Sequence, residues 1–200
     1  MAKESDLIRQ IRKELLQKGL LGKQTEARKW LIQKAKEMVA FRGANRASLL
    51  RGRSRKNTDI TVGEMYYFVY DPKWKKELPY YDTFPLVFPI EYYEDGFLGI
   101  NVHYLNLNQR AKLFDTLRVL STDKRYTESA RLALSYKAIK SMGAIVKPCI
   151  KRYLAGHVRS DFIKVKGNEW EWALFLPSEH FEKKSMQEVW RESNKIIANG

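Results

Sequence analysis

Cysteine is almost absent from this chain, with a single residue, Cys149, among 200. An intrachain disulfide is excluded. With no ligating neighbours in sequence, Cys149 reads as a small buried residue and not as a nucleophile. That usage suits a reducing compartment. Long apolar runs are also missing, and none approaches the roughly 18 residues of a membrane span. The opening Met-Ala-Lys-Glu-Ser-Asp carries no apolar segment of the signal-peptide kind, so a soluble protein made in the cytoplasm is expected. Histidine is scarce too. His103, His157 and His180 lie far apart and lack zinc-site spacing. There is no phosphate-cradling glycine loop, no Gly-x-Ser-x-Gly and no His-Glu-x-x-His. Gly96-Phe-Leu-Gly99 lies inside a strand pattern and is not a nucleotide fingerprint. These absences point away from an enzyme and from a bound cofactor or metal. The residual enzymatic reading is a metal-dependent nuclease, if the fold gathers Asp82, Glu91 and Glu94 beside Lys76.

Acidic residues are scarce at one end of the chain. Residues 1–56 hold 16 Lys/Arg against 5 Asp/Glu, a balance of +11, while residues 57–200 hold 21 against 18, a balance of +3. An excess concentrated in this way points to a segment that meets nucleic acid or another polyanion.

Apolar material is ample: 44% of residues are hydrophobic and 12% aromatic. That is enough for a real core, and it argues against disorder of the whole chain. Leu7, Ile8, Ile11, Leu15 and Leu16 predict a helix over 5–18. Trp30, Leu31, Ala35, Met38, Val39 and Phe41 predict a second helix over 25–41, so the two form a hairpin. Residues 42–57 then change character. Six of the sixteen are Lys/Arg, none is acidic, and the run Arg51–Lys56 holds four cations in six residues. This reads as an extended basic arm.

From Val62 the pattern turns to strands. They are predicted at Met65–Tyr70, at Phe84–Ile90 and at Phe97–Tyr104, with an acidic turn over Tyr92–Gly96. Pro85 and Pro89 each remove a ladder donor, which makes the second an edge or bulged strand. Gly99 marks a bulge or a close approach. Helices are predicted at Leu107–Leu120, at Thr127–Ile139, and from Pro148 through Leu154. Asp161–Val165 and Trp170–Leu176 read as a closing hairpin. Ser185–Ile197 reads as a last helix, with Ser185 and Glu188 as its capping box. The expected fold is α+β: an N-terminal helical hairpin and basic arm over 1–57, then a core over 58–200. The core is a small twisted antiparallel sheet or SH3-like barrel packed with helices.

The cations Arg42, Arg46, Arg51, Arg53, Arg55 and Lys56 are the candidate DNA-binding residues. They neutralise phosphates without reading sequence, and arginine can make two parallel bonds to one phosphate. The same arm could instead thread across a neighbouring subunit of an assembly, but the charge argument favours DNA. The aromatic residues Tyr66, Tyr67, Phe68, Tyr70, Tyr80, Tyr81, Tyr92 and Tyr93 offer stacking faces for single-stranded bases. Few cations interleave with them in sequence, so core and interface roles are expected instead.

Three stretches then carry a resemblance: Met65-Tyr-Tyr-Phe-Val-Tyr-Asp-Pro-Lys, Leu78-Pro-Tyr-Tyr-Asp-Thr-Phe-Pro-Leu-Val and Gly96-Phe-Leu-Gly-Ile-Asn-Val-His-Tyr-Leu. With Pro148-Cys-Ile-Lys-Arg-Tyr-Leu-Ala-Gly-His-Val-Arg-Ser and Glu188-Val-Trp-Arg-Glu-Ser, they resemble virion proteins of T-even-like tailed phages of the DNA end protector type. The resemblance implies a minor head or neck component near the portal that holds the end of the packaged genome. It implies host cytoplasm during assembly and the virion afterwards, with portal or neck proteins as partners within a multi-subunit assembly. It brings no catalytic residues. The alternatives are a structural neck, tail or baseplate adaptor whose arm binds neighbouring subunits, and the nuclease named above.

Overall fold

The computed structural model describes residues 56–57, 60–121, 142–165, 170–176 and 178–199, together with Gln17. The helical hairpin expected over 5–18 and 25–41, the stretch 42–55 and the helix expected over 127–139 lie outside the described residues, Gln17 excepted, which is helical.

The centre of the molecule follows from one tetrapeptide. Met65 and Tyr67 point into one core, while Tyr66 and Phe68 point into a second. Side chains alternate along a strand, so a strand with no polar face must be covered on both sides. Here it is. Met65–Tyr67 forms β2, and its three residues are all buried. The same alternation continues next door in β4 (Leu86–Tyr93), where Leu86 and Phe88 join the first core and Val87 the second.

Six strands make one antiparallel sheet in the order β1-β7-β2-β4-β5-β6. The outer members are β1 (Lys56–Asn57) and β6 (Ile150–Leu154); β5 is Gly96–Asn101 and β7 is Phe162–Val165. A separate two-stranded ladder joins β3 (Tyr81–Asp82) to β8 (Phe181–Glu182). The α+β class and a small antiparallel sheet are as expected. The closed-barrel alternative is not seen: among the described residues no ladder joins β1 to β6.

The first core is covered by α1 (Leu107–Ser121), α2 (Trp170–Phe175) and α3 (Met186–Ala198). Helix α1 opens on a reciprocal cap. Asn106 Oδ1 accepts the Gln109 N–H at 3.0 Å, and Gln109 Oε1 accepts the Asn106 N–H at 3.0 Å. Helix α3 has the capping box expected of Ser185 and Glu188. The second core is aromatic. Phe68 meets Tyr70, Phe97, Tyr153 and Phe162 edge-on, and Phe97 stacks on its cross-strand partner Tyr153 at 5.2 Å.

Several expected elements differ. The second predicted strand is not an edge, because β4 lies between β2 and β5. Its register does shift between Pro89 and Glu91, so the bulge is real and absorbs the missing proline N–H. Gly99 lies opposite Pro89, and a Cβ there would stand 2.3 Å from Val87 Cγ1, so the close approach also holds. The turn expected over Tyr92–Gly96 is tighter. Strand β4 runs to Tyr93 and β5 begins at Gly96, which leaves Glu94 and Asp95 as the turn. A Cβ on Gly96 would overlap the Tyr153 carbonyl oxygen at 1.9 Å. The strand expected through Tyr104 ends at Asn101 and is followed by a 3-10 turn over Val102–Tyr104.

The helix expected from Pro148 is instead a 3-10 run, Gly143–Cys149, followed by strand β6. Pairing along the free edge of β5 decides the matter, since it gives each of Ile150–Leu154 a cross-strand partner there. The closing hairpin is also corrected. Phe162–Val165 is a strand, but both its edges are taken by β1 and β2, and Trp170–Phe175 is helical. Its run of buried residues, Ala173 to Leu176, is apolar throughout, a pattern that cannot by itself tell strand from helix.

Candidate nucleic-acid interface

Of the six candidate cations, Arg42, Arg46, Arg51, Arg53 and Arg55 lie outside the described residues. Lys56 opens β1, where its Cα pairs with that of Ile163. Lys56, the last cation of the basic segment, thus stands at the β1 end of the sheet.

The opposite end carries a cavity. A half-open space of about 410 Å³ lies between residues 72–81 and β6. Its back wall is aromatic and buried: Tyr70, Tyr104 and Tyr153 are each 3–6% exposed. Tyr80 and Tyr81 stand nearer the mouth, and Trp74, 55% exposed, forms the rim. Cations do interleave with these rings in space. Lys151 Nζ lies 4.1 Å from the Tyr104 ring centroid, Lys184 Nζ 4.8 Å from that of Tyr80, and Lys73 Nζ 5.1 Å from that of Trp74. Arg152 covers Tyr93 at 3.6 Å and pairs with Asp95. Burial pulls the half-buried Lys151 ammonium below the ordinary lysine range. Burial also pushes the phenols of Tyr104 and Tyr153 well up, and burial with the Glu192 charge pushes Tyr80 up to about 12. The rings are neutral at physiological pH.

The loop that carries Trp74 is held from below. Glu77 and Leu78 donate their N–H groups to the Trp74 carbonyl at 3.0 and 2.9 Å. Lys183 Nζ donates to the carbonyls of Lys76 at 2.9 Å and Leu78 at 2.7 Å. Lys183 does so from a left-handed backbone, φ 70°, a conformation that costs a non-glycine residue energy and is kept where the surroundings demand it.

Behind the cavity lies a buried polar network. Asp82 Oδ2 accepts from His103 Nδ1 at 2.7 Å, and His103 Nε2 meets Ser178 Oγ at 3.0 Å. This is the connectivity of a Ser-His-Asp relay. Its surroundings are those of a structural core. His103 is fully buried, Ser178 is 6% exposed, and Ser178 Oγ also meets the Tyr67 hydroxyl at 2.9 Å. Among the described residues Ser178 Oγ is engaged by the Tyr67 hydroxyl, His103 Nε2 and the Leu176 carbonyl. Asp82 is fully engaged. Oδ1 accepts from the N–H groups of Phe84 at 3.0 Å and His180 at 3.4 Å, and Oδ2 accepts also from Asn101 Nδ2 at 3.0 Å. Burial raises the Asp82 pKa, but the His103 interaction and these donors outweigh it and hold the carboxyl below its usual range. Of the acidic set considered for a nuclease, Asp82 is thus internal, while Glu91 and Glu94 are exposed on the β4–β5 hairpin. No group of three or more His, Cys, Asp or Glu side chains suited to a metal gathers among the described residues.

Arg110 fastens the neighbouring elements. It is fully buried, donates to the carbonyls of Leu105, Leu174 and His103 at 2.8, 3.0 and 3.2 Å, and pairs with Glu179. Cys149 is buried and free, and burial pushes its thiol up to about 12, as befits an inert core residue.

Sequence reasoning passed over Trp74, Lys151, His103 and Ser178. Lys73–Pro79 reads only as a charged linker, and a helix through Pro148–Leu154 would have turned Lys151 and Tyr153 to different faces. In β6 the two are two residues apart and share one face. The aromatic cluster divides as its chemistry suggests: Tyr66, Tyr67, Phe68 and Tyr70 are core, while Tyr92 and Tyr93 are exposed.

No helix among the described residues is long and apolar enough to cross a membrane. Searches among curated proteins and among solved structures gave no match. A family model does match, over residues 3–196: that of the phage T4 terminal DNA protecting protein. Covering nearly the whole chain, the match bears out the resemblance carried by the strand and C-terminal motifs, and the chain belongs to the phage T4 terminal DNA protecting protein family.

Proposed function

We propose that this protein shields the end of a linear phage genome by binding duplex DNA without sequence preference, through the cations of its first 56 residues. The observation that carries the reading is the +11 balance of residues 1–56 in a chain of a terminal DNA protecting family. Arg42, Arg46, Arg51, Arg53, Arg55 and Lys56 supply the phosphate contacts. Each phosphate neutralised releases counterions, a gain that is indifferent to base sequence. Protection is then steric: a nuclease that must thread a free end meets protein instead. No chemical step is required of the protein, which acts as a cap and not as an enzyme. Within this reading the arm is a unit distinct from the core that starts near residue 58, and the capped end sits at the portal or neck of the particle.

The test measures binding of the full-length protein to a blunt-ended duplex by fluorescence anisotropy across a salt series. A second arm follows survival of that duplex under an exonuclease. The parent is expected to bind steeply less with rising salt and to slow digestion. Changing the six arm cations to glutamine is expected to flatten the slope of log K against log salt by up to about five and to abolish protection. If the parent shows no DNA binding at low salt, the reading fails and an adaptor role takes its place.

A further inference from the structure

The cavity at the β6 end has features that phosphate neutralisation by the arm does not use. Its mouth is formed by Trp74, Tyr80 and Tyr81, with the buried rings of Tyr104 and Tyr153 behind them. An indole 55% exposed at the rim of an aromatic cavity, with the Lys73 ammonium 5.1 Å from its ring centroid, offers a stacking face beside a cation. A volume of about 410 Å³ falls in the lower part of the range for small-ligand sites, roughly 300–1,000 Å³.

The cavity is also cationic on one side. Among the described residues neither Lys73 nor Lys151 has a carboxylate partner; each is placed against a ring instead. An ammonium held half-buried without a counter-ion favours an anion that arrives from outside. The cavity's desolvation of Lys151 points the same way.

The floor tells what kind of recognition is possible. Asp82 and Asn101 are the carboxylate and amide of the cavity's lining, and both are buried, at 4% and 0% exposure. Asp82 already accepts four hydrogen bonds, as many as its lone pairs allow. Asn101 donates to Asp82 and accepts from the His103 N–H at 3.0 Å. A planar ring entering here is held by its face and not read by its edge. Every nucleobase has such a face.

We infer that this cavity receives one unpaired terminal nucleotide of the DNA end, of any base, stacked on Trp74 against Tyr80 and Tyr81 with its phosphate beside Lys73 and Lys151. The inference rests on the DNA-end reading and supplies what the arm lacks. An arm of cations binds any stretch of duplex equally, whereas a pocket for an unpaired terminal base distinguishes an end from an interior. The arm's cations and the pocket's residues are different side chains, and Lys56 in β1 stands at the opposite end of the sheet from β6, so the two are separable by mutation.

The test uses full-length protein and two duplexes of the same sequence. One is open-ended with 2-aminopurine as its terminal base; the other is closed at both ends by hairpin loops. The parent is expected to bind the open duplex more tightly and to change the 2-aminopurine emission. Trp74→Ala is expected to reduce the open-over-closed preference roughly tenfold and to remove the emission change, while closed-duplex affinity and its salt slope stay as in the parent. Because Trp74 is exposed, this variant should fold; Lys73→Gln is a second surface change expected to weaken end preference alone. A deoxynucleoside monophosphate added in excess separates sources. Quenching of Trp74 by the free nucleotide with no preference for the open duplex would overturn the DNA-end assignment. An end preference unchanged in both variants would overturn the pocket and leave the arm reading standing. A proline-rich peptide that shifts the tryptophan signal where the open duplex does not would overturn it in favour of a peptide groove. Failure of the parent to bind either duplex would bring down both readings together.

Discussion

Replacing Asp82 by asparagine tests whether the buried network is what holds the cavity's floor. The carboxylate accepts from four donors: the N–H groups of Phe84 and His180, Asn101 Nδ2 and His103 Nδ1. An amide keeps one oxygen and turns its NH₂ towards two of those donors, whichever way it is placed. The bond from His103, at 2.7 Å, is the shortest of the four. Hydrogen bonds to an ionised group contribute roughly 1.5–3 kcal/mol each, and a buried donor left unmatched carries its own desolvation cost. Some relaxation offsets this, so a loss of roughly 3 kcal/mol is expected at pH 7. For a chain of this size, about 2–4 °C per kcal/mol turns that into a Tm lower by roughly 6–12 °C. Asp82→Ala leaves all four donors without an acceptor and should fall further. The pH dependence gives the sign. The folded-state pKa of Asp82 is lowered, so its contribution is fully present above the unfolded value of about 3.9 and is lost as pH falls through the folded one. The gap between parent and Asp82→Asn should therefore be constant near neutrality and close below about pH 4. Urea unfolding followed by tryptophan emission and by circular dichroism, from pH 7 down to pH 3, measures both. A variant within about 0.5 kcal/mol of the parent at pH 7, or a gap that widens on acidification, would refute the reasoning.

Three further outcomes follow from the same structure. Arg110→Met strands the carboxylate of Glu179 and three carbonyls, and should cost about 3–5 kcal/mol in urea unfolding. Adding Glu179→Gln should recover part of that loss, and a double-mutant cycle with no coupling would contradict the pairing. Ser185→Ala removes the reciprocal cap of α3 and should cost about 1 kcal/mol, read in the same assay. Cys149, its thiol pushed up to about 12 by burial, should resist alkylation at pH 8 in the native protein and react promptly once urea unfolds it; equal rates would show that it is not enclosed.

Where the sequence was readable, a local cause settled the structure. Ser185 and Glu188 mark a helix start by spacing alone, Pro89 marks a bulge because it has no N–H to give a ladder, and Gly99 marks a close approach because no Cβ fits there. Helix α1 shows in its apolar repeat. Where reading failed, the deciding partner lay far away. Ile150–Leu154 is a strand because the edge of β5 is free, which nothing within those five residues records. The buried run Ala173–Leu176 is compatible with either period. The cavity was the least legible part. Its cations, Lys73 and Lys151, are 78 positions apart in sequence, and Lys151 covers the ring of Tyr104, 47 positions away, a pairing that nothing along the chain records. The basic arm, by contrast, is a property of composition and could be read at once.

The order of the strands bears on how the chain is made. Strand β2 lies at the heart of the sheet, yet one of its neighbours is β7, with Met65 opposite Val165. The Tyr67 hydroxyl bonds to Ala173 and Ser178, residues 106 and 111 positions later. His103 waits for Ser178 on its ring and for Trp190, whose indole N–H reaches its carbonyl at 2.8 Å. During synthesis the basic segment emerges before the core, and among the described elements the core cannot close until α3 has left the ribosome. Folds dominated by such distant pairings form slowly, because loops must close before contacts reward them. The nascent chain therefore presents its cations to any polyanion well before it has a finished body, and a chain cut short before α3 should remain without one.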